Sequence, residues 1–533
     1  MLKQPAACTG FVLTAVVLIL TTAVASGAAA AAADQPQWGQ LHSRNMVSDE
    51  VGLPDRFDPK TGENVKWSVA IGTQSWATPV VAGGKVLIGT NNGRPRDPKH
   101  EGDRGVLMCL NEADGSFVWQ LVVPKLSEDI YFDWPQAGMC SPPTVEGERV
   151  YMVTNRAEVV CLDLHGMANG NGGPFLDEGR HMTPPDQPAM EPGPTDADIL
   201  WRLDLRTAVG VRPHDSSHCS ILLDGSYLYV NTSNGLTSRH DGVDKPDAPA
   251  LVVVDKATGT LVAQEREGIS RRIFHCQWSS PALGIVNGQR LVFLGGGDGW
   301  CYAFEALEPQ GQRSGSRAEG SETGEAGKTP ELPALRCVWR FDCDPTAPKE
   351  NIHTYIRNRR ESPSIIKGMP VIHNGRLFVT VGGDIWWGKR EAWLQCIDAG
   401  QTGDVTSSGL LWSYPVERHC CTTPAIHDGL AYVADCAGKI HCVDIETGQA
   451  VWVHDAGSET WASTLVADGK VYVGTRRGDF WVLGAGRELR VLSSIRLDDA
   501  VIGTPVAANG TLYVGTMSHL FALQSGATDE SEH

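Results

Sequence analysis

Residues 422–454 read TTPAIHDGLAYVADCAGKIHCVDIETGQAVWVH. Ala425-Ile426 leads to a turn at Asp428-Gly429, and Leu430 to Ala434 alternates as a half-buried strand does. Gly438 turns the chain into Ile440 to Ile445, Thr447-Gly448 is the next turn, and Val451-Trp452-Val453 is a fourth strand. Gly and Asp recur at the turns because they tolerate positive φ or bond their own backbone. The phrase recurs from Thr78-Pro79, Ser141-Pro142, Ser220-Ile221, Ser280-Pro281, Ser362-Pro363, Ser463-Thr464 and Thr504-Pro505. Periodic self-similarity marks a repeat architecture, and about eight four-stranded units predict an all-β, eight-bladed β-propeller. The last unit stops after Leu520 to Leu523, without a closing Trp strand, and an orphan strand of that kind lies around Lys66-Trp67-Ser68. Pairing the two closes the ring and removes its exposed edges.

Of the 533 residues, 1–33 are set apart: Lys3, an apolar run from Phe11 to Leu20 and small residues after it read as an export signal. The propeller is expected over 36–526, with residues 310–333 a disordered insertion and 527–533 a disordered tail. A formal charge of −18 argues against a nucleic-acid partner, which wants a basic face. The sequence predicts no membrane span in the mature chain, a periplasmic or otherwise exported, soluble protein, and a monomer. Of the 14 cysteines, Cys109, Cys161, Cys301, Cys396 and Cys442 occupy one slot in five units, which reads as a small buried residue on the third strand rather than a disulfide framework. No C-x-x-C-H occurs, so no covalent haem is expected.

The repeat resembles that of pyrroloquinoline quinone (PQQ)-type propellers, the superfamily of quinoprotein alcohol dehydrogenases and of BamB-like proteins. The resemblance rests on Asp255-Lys256-Ala257-Thr258-Gly259, on Asp444-Ile445-Glu446-Thr447-Gly448 with Trp452, and on Asn111-Glu112-Ala113-Asp114-Gly115 with Trp119. It implies that Trp67, Trp119, Trp201, Trp339, Trp412 and Trp452 dock between blades; units three and seven lack this Trp.

First strands lie nearest the axis, so the residues leading into them converge at the channel mouth. These lead-ins carry Trp76, Met139-Cys140, His218-Cys219, His275-Cys276, Trp278, Arg360, Glu361, His419-Cys420-Cys421 and Trp461. Long loops on the same face add Trp134, His214, Asp215, Arg357, Trp386, Trp387 and Lys389. Convergent polar groups with aromatic walls predict a ligand or partner face. Two functions follow. One is a non-catalytic binding or scaffold module of the bacterial envelope, with an envelope protein or a small ligand at the mouth and no cofactor. The other, implied by the resemblance, is a divergent PQQ- and calcium-dependent dehydrogenase oxidising an alcohol or sugar. Asn231, Trp278, Arg360, Cys420 and Cys421 would then surround the cofactor, with Asp215 as base. The residue after Trp278 is Ser279, where that family's pattern wants Asp. Neighbours on a strand point to opposite faces, so His218-Cys219 and His275-Cys276 do not pair on one ion, and no metal site is assigned.

Overall fold

The structure, a computed structural model, describes residue 1, residues 33–308 and residues 331–528. The expected export signal, but for its end residues, and most of the expected disordered insertion lie outside the described residues. Each sequence unit forms one antiparallel sheet, the fourth with the short strand Gly403–Asp404 added parallel at its edge, and the eight units, numbered here as blades in chain order, make a ring. The quoted phrase is blade 6, with strands Ala425–His427, Leu430–Ala434, Lys439–Asp444 and Ala450–Asp455. Blade 8 closes as expected: Glu63–Ala70 pairs antiparallel with His519–Thr528, Trp67 opposite Ala522. That last strand runs to Thr528, opposite Glu63, so residues 527 and 528 belong to the sheet and not to a disordered tail. Pro333 accepts a backbone hydrogen bond from Gln264, so the end of the 310–333 insertion lies along the outer strand of blade 3.

Apolar side chains gather into eight clusters among the described residues, each shared by two neighbouring blades. The six docking tryptophans sit there. Trp67 Nε1 donates to Glu112 O, Trp119 to Leu164 O, Trp201 to Lys256 O, Trp339 to Ala399 O, Trp412 to Ile445 O and Trp452 to Gly486 O. Each bond crosses to the next blade, and the first seals the ring from blade 8 to blade 1. The slot cysteines are buried and free; Cys109, Cys161, Cys396 and Cys442 stand directly opposite Trp119, Trp201, Trp412 and Trp452. A small residue there leaves room for the indole. The Thr-Gly turn has a matching reason: Gly448 has φ +68, and a Cβ on it would lie 2.6 Å from the Trp412 ring. Gly448→Ala is expected to cost about 2 kcal/mol, from left-handed strain plus displaced packing, read as a lowered denaturation midpoint.

Residues 33–50 form a strap inside the ring. First strands have free inner edges facing the axis, and buried backbone N–H groups need partners. The strap supplies them: Val81 N donates to Gln35 O, Val145 N to Pro36 O, Leu283 N to His42 O, Ile372 N to Ser43 O and Val466 N to Met46 O. Asn45 exchanges two hydrogen bonds with Ile426, and Glu50 accepts from Asn509 and Gly510. All but blade 3 are reached this way, and Arg44 reaches blade 3 through Ser220. The channel is therefore filled from one end, and its mouth is a blind pocket.

Candidate functional site

The pocket holds about 430 Å³ and has Trp38 of the strap among its lining residues. Its walls bring together Trp76, Trp134, Trp278, Trp386, Trp387 and Trp461, all six expected at the mouth, with Asp215, His218 and Cys421. Trp76 packs on Trp461, Trp461 on Trp386, and Trp386 on Trp278, with ring centroids 5.5–5.8 Å apart. His218 lies against Trp278 at 4.3 Å. Tyr131, from the loop before blade 2, stacks on His214 at 5.6 Å.

The charged centre is a residue that the sequence reading did not single out. Blade 5 starts with a broken strand: Ser364–Ile365 and Val371–His373 both pair with Arg376–Gly383, and the chain between them leaves the sheet. That excursion puts Lys367 in the pocket wall, its side chain 5% exposed. Its ammonium lies 2.9 Å from Asp384 Oδ2 and over the rings of Trp386 and Trp278, at 4.0 and 4.7 Å. Asp384 is its ion-pair partner, and Nζ has no other acceptor among the described residues. The excursion was visible as an anomaly of spacing. Ser362-Pro363 is followed by its turn only at Asn374-Gly375, whereas Thr423-Pro424 reaches Asp428-Gly429 directly.

Asp384 organises this region. Its Oδ1 accepts from the backbone N–H of Trp386 and Trp387, at 2.9 and 2.8 Å, and so sets both indoles. Its Oδ2 meets Lys367 and His275 Nδ1, the latter at 3.1 Å. Burial alone would raise this carboxyl, but Lys367 first and His275 second hold it well below the usual carboxylate range. Burial likewise lowers the Lys367 ammonium, and Asp384 more than restores it, so the lysine stays charged. Burial, then Lys367, pushes His218 down to about 3. The Asp215 carboxyl is raised by burial. Cys421 is lowered by a hydrogen bond from Cys436 against its burial, with Lys367 adding to the lowering.

Other expected residues are placed elsewhere. His214 and His275 are fully buried behind the indoles, His214 donating from Nδ1 to Leu236 O. His419 is buried near Cys436 and Glu459. Arg357 lies over the outer face of Trp387 at 5.2 Å. Arg360 and Glu361 are exposed on the rim, their backbone N–H groups bound to Asn358 Oδ1, and neither lines the pocket. Lys389 is buried against Asp344 at 2.6 Å, outside the pocket wall. Asn231 is engaged by its own fold: Nδ2 donates to Gln277 O and Ser279 O, and Oδ1 accepts from Ser233 N. Cys420 is buried and free, its sulfur directed at Ala434 O, so only Cys421 of this pair reaches the pocket.

These placements test the calcium-quinone arrangement. Calcium wants six to eight oxygens. Asn231 is occupied, Arg360 is on the rim, and the polar groups behind the wall are mostly imidazoles, so the residues present do not fit that ion. The indoles and Lys367 do fit a flat, negatively charged molecule.

A sequence profile described as outer membrane protein assembly factor BamB matches residues 53–266 and 336–525. Over 138 residues the chain is 27% identical to a 1-butanol dehydrogenase (cytochrome c) of Thauera butanivorans, covering 22% of this chain and 20% of that protein. Over 137 residues it is 26% identical to a quinohemoprotein alcohol dehydrogenase of Comamonas testosteroni, covering 22% and 19%. The chain thus spans about a fifth of the length of these curated relatives. A europium-containing methanol dehydrogenase superposes with a TM-score of 0.56 at 12% identity, covering 91% of this chain and 89% of the other. BamB from Moraxella catarrhalis gives 0.48 at 13% identity, covering 87% and 97%. At 12% identity the likeness to the methanol dehydrogenase shows a shared fold alone. No helix among the described residues is long and apolar enough to cross a membrane.

Proposed function

Since the chain belongs to the family of the outer membrane protein assembly factor BamB, we propose that it is a binding propeller whose blind mouth holds one small, flat, anionic molecule of the carboxylated-quinone class. The observation that carries this reading is Lys367: a buried ammonium with unfilled donors, between two indoles, in a pocket of ligand size. A carboxylate seated there receives a charge-assisted hydrogen bond, and the rings of Trp278 and Trp386 offer it flat apolar contact. Two curated relatives are alcohol dehydrogenases, one of them a quinohemoprotein, which supports a quinone as the first ligand to test. The family's name and the signal-like residues 1–33 support a place of work in the bacterial envelope.

The test is a PQQ titration of the full-length protein in chelator, followed by quenching of indole fluorescence. Saturable binding at micromolar concentration without calcium is expected, weakened about 100-fold in Lys367→Met, a change of about 2.7 kcal/mol. Unquenched fluorescence at about 100 μM PQQ would sink the reading. Dye-linked alcohol oxidation by the loaded protein separates turnover from holding.

A further inference from the structure

We propose that His214, His240 and His275, with Asp215 as fourth ligand, form a site for one divalent first-row transition metal in the wall behind the mouth. The three imidazoles come from separate segments: the lead-in to blade 3, the loop inside blade 3 and the lead-in to blade 4. One nitrogen of each lies within 4.8 Å of the other two, and all three residues are buried.

The hydrogen bonds behind the rings assign the protons. His214 Nδ1 lies 2.9 Å from Leu236 O, and His240 Nδ1 lies 3.1 Å from Ser238 O. A carbonyl only accepts, so each Nδ1 carries the hydrogen and each Nε2 carries a lone pair. Those two Nε2 atoms face one another at 3.2 Å. With both Nδ1 atoms protonated, neutral rings leave no proton between the two Nε2 atoms. His275 follows the same pattern with a carboxylate behind it: Nδ1 donates to Asp384 Oδ2, while Nε2 accepts from Trp387 Nε1 at 3.1 Å. Ring N–H groups tied to carbonyls and to a carboxylate, with lone-pair nitrogens converging, is the outer-shell arrangement of metal-bound histidines.

Asp215 lies beside two of the three imidazoles. It has φ +61 and the following Ser216 +97, a turn that L-residues adopt only under constraint. The turn brings Asp215 Oδ2 to 3.5 Å from His275 Nε2 and Oδ1 to 3.9 Å from His214 Nε2. Three imidazoles and one carboxylate suit zinc, copper, nickel or iron, and suit calcium poorly. The indole N–H of Trp387 is the donor now directed at His275 Nε2, and its ring lies 4.5 Å from that of His240. A cation bound there displaces that contact and reports itself through Trp387.

This inference does not rest on the quinone reading, because metal is titrated with no organic ligand present. Full-length protein stripped with chelator is titrated with Zn²⁺ by calorimetry and with Cu²⁺ by electron paramagnetic resonance. One equivalent is expected to bind with Kd below about 1 μM, with nitrogen hyperfine structure from three imidazoles and a change in indole fluorescence. His214→Gln and His240→Gln should each weaken it at least about 100-fold, and His419→Leu should leave it intact. Absence of stoichiometric binding overturns the proposal. So does a copper spectrum with a single nitrogen and sulfur, which would mark the cluster of His419, Cys436 and Glu459 instead. The wild-type spectrum decides even where a variant fails to fold.

Discussion

Replacing Arg44 by Met is expected to destabilise the folded chain by about 3 kcal/mol. The guanidinium is fully buried in the strap. Nε donates to Pro281 O at 2.9 Å, Nη1 to Trp38 O and Ser220 Oγ at 3.0 and 3.1 Å, and Nη2 to Ser220 O at 2.9 Å. Burial pulls its pKa down to about 10, so it stays protonated at neutral pH. The opposing term is desolvation: Met removes a buried charge and regains part of that cost. It also leaves three carbonyls without donors, those of Pro281 and Ser220 buried and that of Trp38 half-buried, each buried one costing about 1–3 kcal/mol, and that sum is the larger. The measurement is a urea midpoint, together with hydrogen exchange of residues 34–50. An unchanged midpoint would show that the strap's backbone pairing holds without the arginine.

The second large effect is at Glu158, on the third strand of blade 2. Its carboxylate takes His181 Nε2 at 2.9 Å, Arg202 Nη1 at 2.7 Å and Arg156 Nη2 at 3.0 Å, and its side chain is 2% exposed. His181 belongs to the short helix Glu178–His181, so this carboxylate clasps the insertion of blade 2 to its sheet. Burial would raise the Glu158 carboxyl; His181, Arg156 and Arg202 outweigh burial and hold it far below its ordinary value. Glu158→Gln leaves two arginines without their counter-charge and weakens the acceptor of the buried His181 ring. A loss of about 3 kcal/mol at pH 7 is expected, at the low end for a broken buried pair because the arginines are partly solvated. The sign with pH follows from the lowered folded pKa. Wild-type stability from this group is complete above the unfolded pKa, about 4.3, and is lost as pH falls through the folded value. The gap between wild type and variant should therefore narrow on acidification below about pH 4; a gap that stays constant down to pH 2 contradicts the linkage.

Much of the ring was legible because every blade solves the same local problem. Gly448 and Trp412 show it: the turn needs a left-handed residue, the neighbouring indole needs the space, and both needs surface as the Thr-Gly phrase. Trp76, Trp278 and Trp461 were legible for a related reason, since a lead-in residue that the repeat does not require stands out against it, and Trp134, Trp386 and Trp387 were legible as aromatic residues of long loops on the same face. Arg360 and Glu361 hold the same lead-in position but do not line the pocket. Sequence position marks a lead-in, and Asn358 turns this one outward onto the rim.

The repeat by itself determined the blade count, the closure through Trp67 and the face on which the long loops gather, because these depend on contacts that recur at fixed spacing. Only the tertiary structure decided what the mouth contains. The strap of residues 33–50 pairs with blades distant in the chain, Lys367 enters through a break peculiar to blade 5, and His240 meets His214 at the end of a loop. The blades offer the strap the same strand position again and again, but the strap itself is no repeat unit, and the Lys367 and His240 contacts occur in one blade each. Their geometry depends on where the closed ring brings separate segments together, and spacing along the chain carries no record of that.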